Sequence, residues 1–368
     1  MVSDKRIAIL TNMVTPYRVP FFNELAKRVS SLDVLTCVDR EVDRSWDVKN
    51  AKSYNVKKLA GITVNLNKGS DAKRILHFRF GIIWYLLFNK PDLIIIGDAS
   101  WTSFIAGLFC RILRTNYVVW NEITTTSKIS TGLVGRLRLN LYKGAFHLIA
   151  SCTMARDYLT NCQVPPHKIS IVNNAVDNDF FLAKKHEHEH RKNEIRESLG
   201  IHTGAFAFIY VGQLISRKRV LETVEFVAKL SKEFNTHLIV AGSGPLEGAM
   251  RDTAKNMNFK DISFLGYTDA DRLSELYIAS DALILLSDDE PWGMVVNEAL
   301  LFDNMVLCST NVAAAVELNA DNKNIELLHD IHSQYFAMEN FLSKSHSKTK
   351  SKVVSPREMV DGFLNVIE

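Results

Sequence analysis

The 368-residue chain has no two cysteines at C-x-x-C spacing; Cys37, Cys110, Cys152, Cys162 and Cys308 lie far apart and are odd in number. That excludes a disulfide framework and a zinc ribbon, and points to a reducing compartment. Long apolar runs are also missing: the longest, Phe80 to Phe88, is about half the ~20 residues a spanning helix needs. No leader pattern opens the chain, because the stretch after Lys5-Arg6 runs at once into Thr11-Asn12. The expectation is a cytoplasmic protein, soluble or peripheral at the inner membrane face. No nucleic-acid module is visible, so that partner is discounted.

With 47% hydrophobic and 23% charged residues, the chain has the composition of a globular protein, and its length suggests two domains. The net charge of +3 hides an asymmetry: residues 1–180 hold 24 basic and 14 acidic residues (+10), the remainder 20 and 27 (−7). The basic half suits an anionic substrate or an anionic membrane surface.

Short β-branched runs alternate with amphipathic stretches throughout. Arg6–Leu10, Val34–Val38, Asp92–Gly97, Asn116–Trp120 and Leu148–Ala150 read as buried strands, with helices over Val19–Val29 and Trp101–Leu113. The pattern breaks at 181–204, around His186, His188 and His190, which reads as a solvated interdomain linker. It restarts at Phe206–Val211 and continues through His237–Ala241, Ile262–Leu265, Ala282–Leu286 and Met305–Ser309. Such alternation predicts α/β architecture with two Rossmann-like doubly wound domains (1–180 and 205–345) facing across a cleft. A tail over 346–368 begins a last helix at Ser355-Pro356-Arg357-Glu358, a good cap and first turn. Arg74–Tyr85 and Arg136–Lys143 mix cations with apolar residues and read as helices, either core helices with basic outer faces or membrane-facing ones.

Three segments carry chemistry. Ser287-Asp288-Asp289-Glu290-Pro291-Trp292-Gly293-Met294-Val295-Val296-Asn297-Glu298 follows a strand and opens a helix, so N–H groups near Gly293, Met294 and Val295 form an anion site suited to a diphosphate. Glu290 and Glu298 can bracket a ligand, accepting from sugar and ribose hydroxyls. Val211-Gly212-Gln213-Leu214 leads into Arg217-Lys218-Arg219, cations fit to neutralise phosphate. Ala241-Gly242-Ser243-Gly244-Pro245 is a tight strand-to-helix turn without the third glycine of a dinucleotide fingerprint.

In order and spacing these segments resemble the retaining GT-B glycosyltransferases of the glycosyl transferase group 1, or family 4, class. That class reads V-G-x-L-x-x-x-K, then A-G-x-G-P, then E-P-x-G-x-x-x-x-E-A. Asn173-Asn174-Ala175-Val176-Asp177 is similar to its P-N-G-V-D passage, and Thr15-Pro16-Tyr17-Arg18 to the opening of a subset. The resemblance implies a C-terminal helix crossing back to the first domain and a nucleotide-diphosphate sugar (UDP- or GDP-sugar) as donor. The acceptor would be a glycan or lipid-linked saccharide of cell-surface polysaccharide synthesis, such as lipopolysaccharide or capsule.

The resemblance also implies residue roles. Glu290 would contact the donor sugar, Glu298 the ribose, and Arg217 and Lys218 the diphosphate. The N–H groups of Met294 and Val295 would hold the distal phosphate; Gly212, Gln213, Gly242, Gly244, Trp292 and Gly293 would complete the donor site. Asn121 or Glu122 would line the acceptor side of the reaction centre, with Thr15, Pro16, Tyr17 and Arg18 nearby. No metal or other cofactor is expected, because cations and helix dipoles would stabilise the leaving group. Gln213 stands where many members have Arg, Asn174-Ala175 where they have Asn-Gly, and Val312-Ala313-Ala314-Ala315 where they have a glycine-rich stretch. The rival readings are a metal-dependent transferase using Asp288 and Glu290, an epimerase or phosphorylase on a related fold, and a non-catalytic sugar-nucleotide-binding subunit.

Overall fold

The computed structural model describes residues 3–39, 53–66, 74–97, 100–129, 131–329, 341–342 and 351–367. The chain divides into two units, residues 1–176 with 354–368 and residues 177–353.

In the first unit, β1 (Ser3–Thr11) is followed by α1 (Val19–Ala26), β2 (Val29–Thr36) and β3 (Asn55–Lys58). An antiparallel pair, β4 (Ile62–Leu66) and β5 (Arg74–Phe78), precedes α2 (Gly81–Asn89). Then come β6 (Leu93–Ile96), α3 (Trp101–Leu113), β7 (Asn116–Asn121), α4 (Gly132–Gly144), β8 (His147–Ala150), α5 (Thr153–Asn161) and β9 (Ile169–Ile171). Seven strands form a parallel sheet in the order β3-β2-β1-β6-β7-β8-β9. Ile7, Ala8, Ile9 and Leu10 are all buried, as both faces of a covered parallel sheet require.

The second unit repeats the plan. It contains α6 (Asn178–His188), α7 (Lys192–Ser198), β10 (Phe206–Val211), α8 (Val220–Leu230), β11 (Thr236–Ala241), α9 (Glu247–Asn256) and β12 (Ile262–Gly266). It continues with α10 (Ala270–Ala279), β13 (Ala282–Leu285), α11 (Met294–Leu301), β14 (Met305–Ser309), α12 (Ala313–Leu318) and β15 (Ile325–Leu328). The sheet order is β12-β11-β10-β13-β14-β15, again parallel.

The last helix, α13 (Pro356–Ile367), belongs to the first unit. Ser355 and Glu358 form its capping box: Ser355 N donates to Glu358 Oε2 (2.8 Å) and Glu358 N to Ser355 Oγ (3.2 Å). Phe363 of α13 packs on Phe21 (4.8 Å between centroids) and Trp120 (4.9 Å). Arg28 pairs with Asp361. Truncating a buried phenylalanine of this kind costs about 3–5 kcal/mol, so α13 is part of the first unit's core.

Two sequence expectations change. Residues 181–204 are not a solvated linker: Asp177 caps α6 by accepting from Phe180 N (3.1 Å), and Phe181 packs on Phe302 (6.2 Å). Lys185 pairs with Asp303, and Lys192 and Arg196 of α7 pair with Asp281 at 2.8 and 3.1 Å. Several of the charges that read as solvation are paired on the second unit, Lys192 and Arg196 sharing Asp281. Nor is Arg74–Tyr85 one helix, because Arg74–Phe78 pairs with Ile62–Leu66 and the helix starts only at Gly81. The polar stretch 343–350 lies outside the described residues.

Candidate active site

The second unit's site is built on strand ends held together by glycines. Gly242 N donates to Gly266 O (2.8 Å), Gly212 N to Ala241 O (3.0 Å) and Leu214 N to Ser243 O (3.0 Å). A Cβ on Gly242 would fall 1.8 Å from Gly212 O, and one on Gly244 2.5 Å from Leu214 O. Both positions therefore require glycine for backbone contact, and Gly242 also has φ +157°. Gln213 is exposed beside them, and its carbonyl accepts from Tyr210 Oη (2.8 Å).

The chain next makes a single 3-10 turn, Ser216–Lys218, and Arg219 takes a left-handed conformation (φ +51°) to enter α8. This turn delivers Lys218 Nζ onto Glu290 Oε2. Arg217 donates to Asp289 O, and Asp288 N donates back to Arg217 O (2.9 Å), so the basic loop and the acidic loop are joined by backbone as well. Burial, with Arg217 beside it, lowers the Lys218 ammonium from 10.5 to about 7, against a smaller upward pull from Asp289. Asp288 faces Arg219 at 3.6 Å.

The main chain at Glu290 is fixed by the segment after β14. Glu290 N donates to Asn311 O (3.2 Å), Ala313 N to Glu290 O (3.1 Å) and Ala314 N to Trp292 O (2.9 Å). The alanines that stand where a glycine-rich stretch was expected are buried props for the Glu290 loop. Trp292 is buried, its Nε1 donating to Asn297 Oδ1 (2.9 Å). Gly293, at φ +100°, turns the chain into α11, whose first residues Met294 and Val295 have no side-chain cap. The first N–H groups of any helix lack an intrahelical acceptor and carry the positive end of its dipole. One turn on, Glu298 accepts from Tyr277 Oη (2.9 Å), and burial lifts its carboxyl from 4.5 to about 7.

In the first unit the predicted acceptor-side residues also meet. Thr15 O accepts from Arg18 N (3.0 Å), closing a 3-10 turn over Pro16–Arg18. Tyr17 lies beside the Arg18 guanidinium (5.5 Å), which stacks on Trp120 (3.7 Å). Arg18 donates to Glu122 Oε1 (2.6 Å) and to Asn174 Oδ1 (3.0 Å), and Asn174 Nδ2 donates to the same Glu122 oxygen (2.6 Å). Asn121 does not line this site: it is 3% exposed, with Tyr142 Oη on its Oδ1 (3.0 Å) and its Nδ2 on Ile123 O (2.9 Å). The Glu122 side chain keeps 35% of its surface open. Residue 175 is not among the positive-φ positions, so Ala175 serves where glycine was expected. Sequence reasoning missed Asn174 and Tyr277 as partners of the two carboxylates. Asn174 lay within a quoted motif; Tyr277, on a helix face, gave no signal.

Residues 191–343 match the family described as Glycosyl transferases group 1. That segment belongs to the group 1 glycosyltransferases. Among curated proteins, N-acetyl-alpha-D-glucosaminyl L-malate synthase of Bacillus anthracis is 29% identical over 139 residues, covering 37% of this chain and 34% of that protein. Alpha-monoglucosyldiacylglycerol synthase of Streptococcus pneumoniae is 25% identical over 180 residues, 46% of this chain and 40% of that protein. The chain therefore spans less than half the length of these relatives. Among solved structures, Anabaena HepE in complex with UDP and glucose superposes with a TM-score of 0.69 over 99% of this chain and 96% of that one, at 16% identity. The group 1 segment thus sits in a chain with the fold of GT-B glycosyltransferases, an α/β fold of two Rossmann-like domains. It contains every residue of the Lys218–Glu290 site, and no helix among the described residues is long and apolar enough to cross a membrane.

Proposed function

We propose that this chain is a retaining, metal-independent glycosyltransferase that moves a sugar from a nucleoside diphosphate donor to a glycan or lipid-linked saccharide. The observation that carries the reading is the Lys218–Glu290 contact beside the uncapped start of α11. A diphosphate entering there meets Lys218, Arg217 and the N–H groups of Met294 and Val295, and it takes Lys218 from Glu290. The freed Glu290 carboxylate accepts from sugar hydroxyls, and Glu298 accepts from the ribose. Gly212, Gln213, Gly242, Gly244, Trp292 and Gly293 shape the pocket around the nucleotide. On the acceptor side, the open edge of Glu122 faces the incoming saccharide and Asn121 supports the strand end from within.

As the glycosidic bond to the leaving phosphate breaks, negative charge grows on the diphosphate, and the cations and helix dipole stabilise it. The acceptor oxygen bonds the anomeric carbon from the same face and passes its proton to the leaving phosphate. No step needs a metal. In this reading Asp288 and Glu290 each face a cation, Arg219 and Lys218 respectively. The UDP and glucose bound by HepE favour a UDP-sugar donor, and the diacylglycerol-modifying relative favours a lipid-linked acceptor.

The test is a thermal-shift and hydrolysis screen over UDP-, GDP- and ADP-sugars, with and without chelator. One donor should stabilise the protein and be turned over equally in chelator. Stabilisation by none overturns the transferase reading, and loss of activity in chelator restores the metal-dependent rival. Binding without turnover of any acceptor restores the non-catalytic one.

A further inference from the structure

The helices α2, α3 and α4 lie side by side on the first unit, α3 touching both others. Their inward residues are accounted for: Ile82 and Leu86 of α2, Ala106 and Cys110 of α3, and Leu141 and Tyr142 of α4 are buried. Their outward residues are large and apolar where solvent-facing residues should be polar. Trp84 (62% exposed) and Phe88 (77%) stack on each other at 5.9 Å, with Leu87 beside them; on α3, Leu108 and Ile112 (62%) stand out, and on α4 Leu139. Spacings of three and four residues put each set on one helix face.

Charge of one sign surrounds them. Across α2, α3 and α4 the exposed charges are Arg111, Arg136 and Lys143, a further arginine, Arg138, is buried, and there is not one Asp or Glu. Exposed Lys90 and Arg114 terminate α2 and α3 in left-handed conformations. Exposed large apolar side chains gathered on adjacent helices mark an interaction surface. A face of Trp, Phe and Leu set among cations without acids matches the boundary of an anionic bilayer, where apolar side chains enter the acyl edge and cations meet headgroup phosphates. A second copy of the chain would press cations against cations. We infer that the α2–α4 face docks the protein on an anionic membrane surface. The inference deepens the lipid-linked acceptor reading and rests on it for its purpose, but its test reads binding, so either can fail alone.

The experiment is flotation of the full chain with phosphatidylcholine vesicles, with and without phosphatidylglycerol. The wild type should float only with the anionic vesicles and be released as salt rises past about 0.5 M, where screening is short-ranged. Trp84→Glu with Phe88→Glu should reduce binding roughly tenfold or more, whereas Tyr267→Glu, an exposed aromatic of the second unit, should leave it unchanged. If the double variant does not fold, Arg136→Glu with Lys143→Glu should give the same loss. The inference is overturned by a wild type that stays with the unbound fraction, by equal flotation of the folded variants, or by a dimer that Trp84→Glu dissolves.

Discussion

The two units make the same local move and put it to different use. Each sends its first strand into a 3-10 turn, Pro16–Arg18 or Ser216–Lys218, whose last residue is a cation set against a carboxylate from a later strand end. In the first unit the cation is a guanidinium with a fixed fork. It holds Glu122 and Asn174 at once and stacks on Trp120, a contact worth up to about 2 kcal/mol when desolvated. Three partners would have to part to free it. In the second unit the cation is an ammonium with a single carboxylate partner, pressed toward neutrality by burial. An ammonium of that kind exchanges one anion for another without dismantling its surroundings. The first pair is a clamp and the second a gate.

The largest expected effect comes from the backbone beneath the gate. Gly242→Ala should cost more than about 4 kcal/mol, the scale of severe strain, because its Cβ would meet Gly212 O at 1.8 Å. In the first unit, a Cβ added to Gly97, just after β6, would meet Leu10 O at 3.0 Å, so that glycine should tolerate alanine at smaller cost. Thermal melts of both variants check this.

Next is Arg18→Ala, which leaves Glu122 and Asn174 facing each other. Breaking a buried pair costs about 3–5 kcal/mol, discounted here because Glu122 is a third exposed; a fall of several degrees in Tm is expected. Arg18→Lys should recover little of it, since one ammonium cannot reproduce the fork. Lys218→Ala leaves the largely buried Glu290 carboxylate without its partner, so Tm should fall as well. Its distinguishing effect should be a kcat/KM lower by roughly 100-fold, the usual loss for one charge-stabilising donor. Steady-state kinetics beside melting curves separate clamp from gate.

The smallest effect is a pH dependence. Lys218 titrates near 7 in the free protein and must be charged to hold a diphosphate, so binding takes up a proton above that pH. Donor affinity should therefore be full near pH 6 and fall about tenfold by pH 8. Lys218→Arg should flatten the profile, and calorimetric titration at several pH values shows whether it does.

Much of the fold was legible in local pattern. Buried strands such as Phe206–Val211 and Met305–Ser309 advertise themselves by short, largely apolar runs, and the Ser355–Glu358 cap by its spacing. What escaped depends on partners distant in sequence. Arg74–Phe78 is a strand only because Ile62–Leu66 is there to pair with it. The 181–204 region reads as solvated until Asp281 and Asp303 are seen opposite its lysines and arginine. The site divides the same way. Each loop of the gate was visible as a motif, and the structure joins Lys218 to Glu290 across 72 residues. The clamp was visible only as three separate segments, and Asn121, expected as an alternative to Glu122, turns inward because strand residues alternate faces.

The measurement that tests the central claim most directly is calorimetric binding of UDP, GDP and ADP to the wild type, Lys218→Ala and Arg18→Lys. The account predicts that at least one nucleoside diphosphate binds the wild type, that Lys218→Ala weakens it at least tenfold, and that Arg18→Lys leaves it unchanged. Failure of all three to bind, or equal binding by Lys218→Ala, would contradict it.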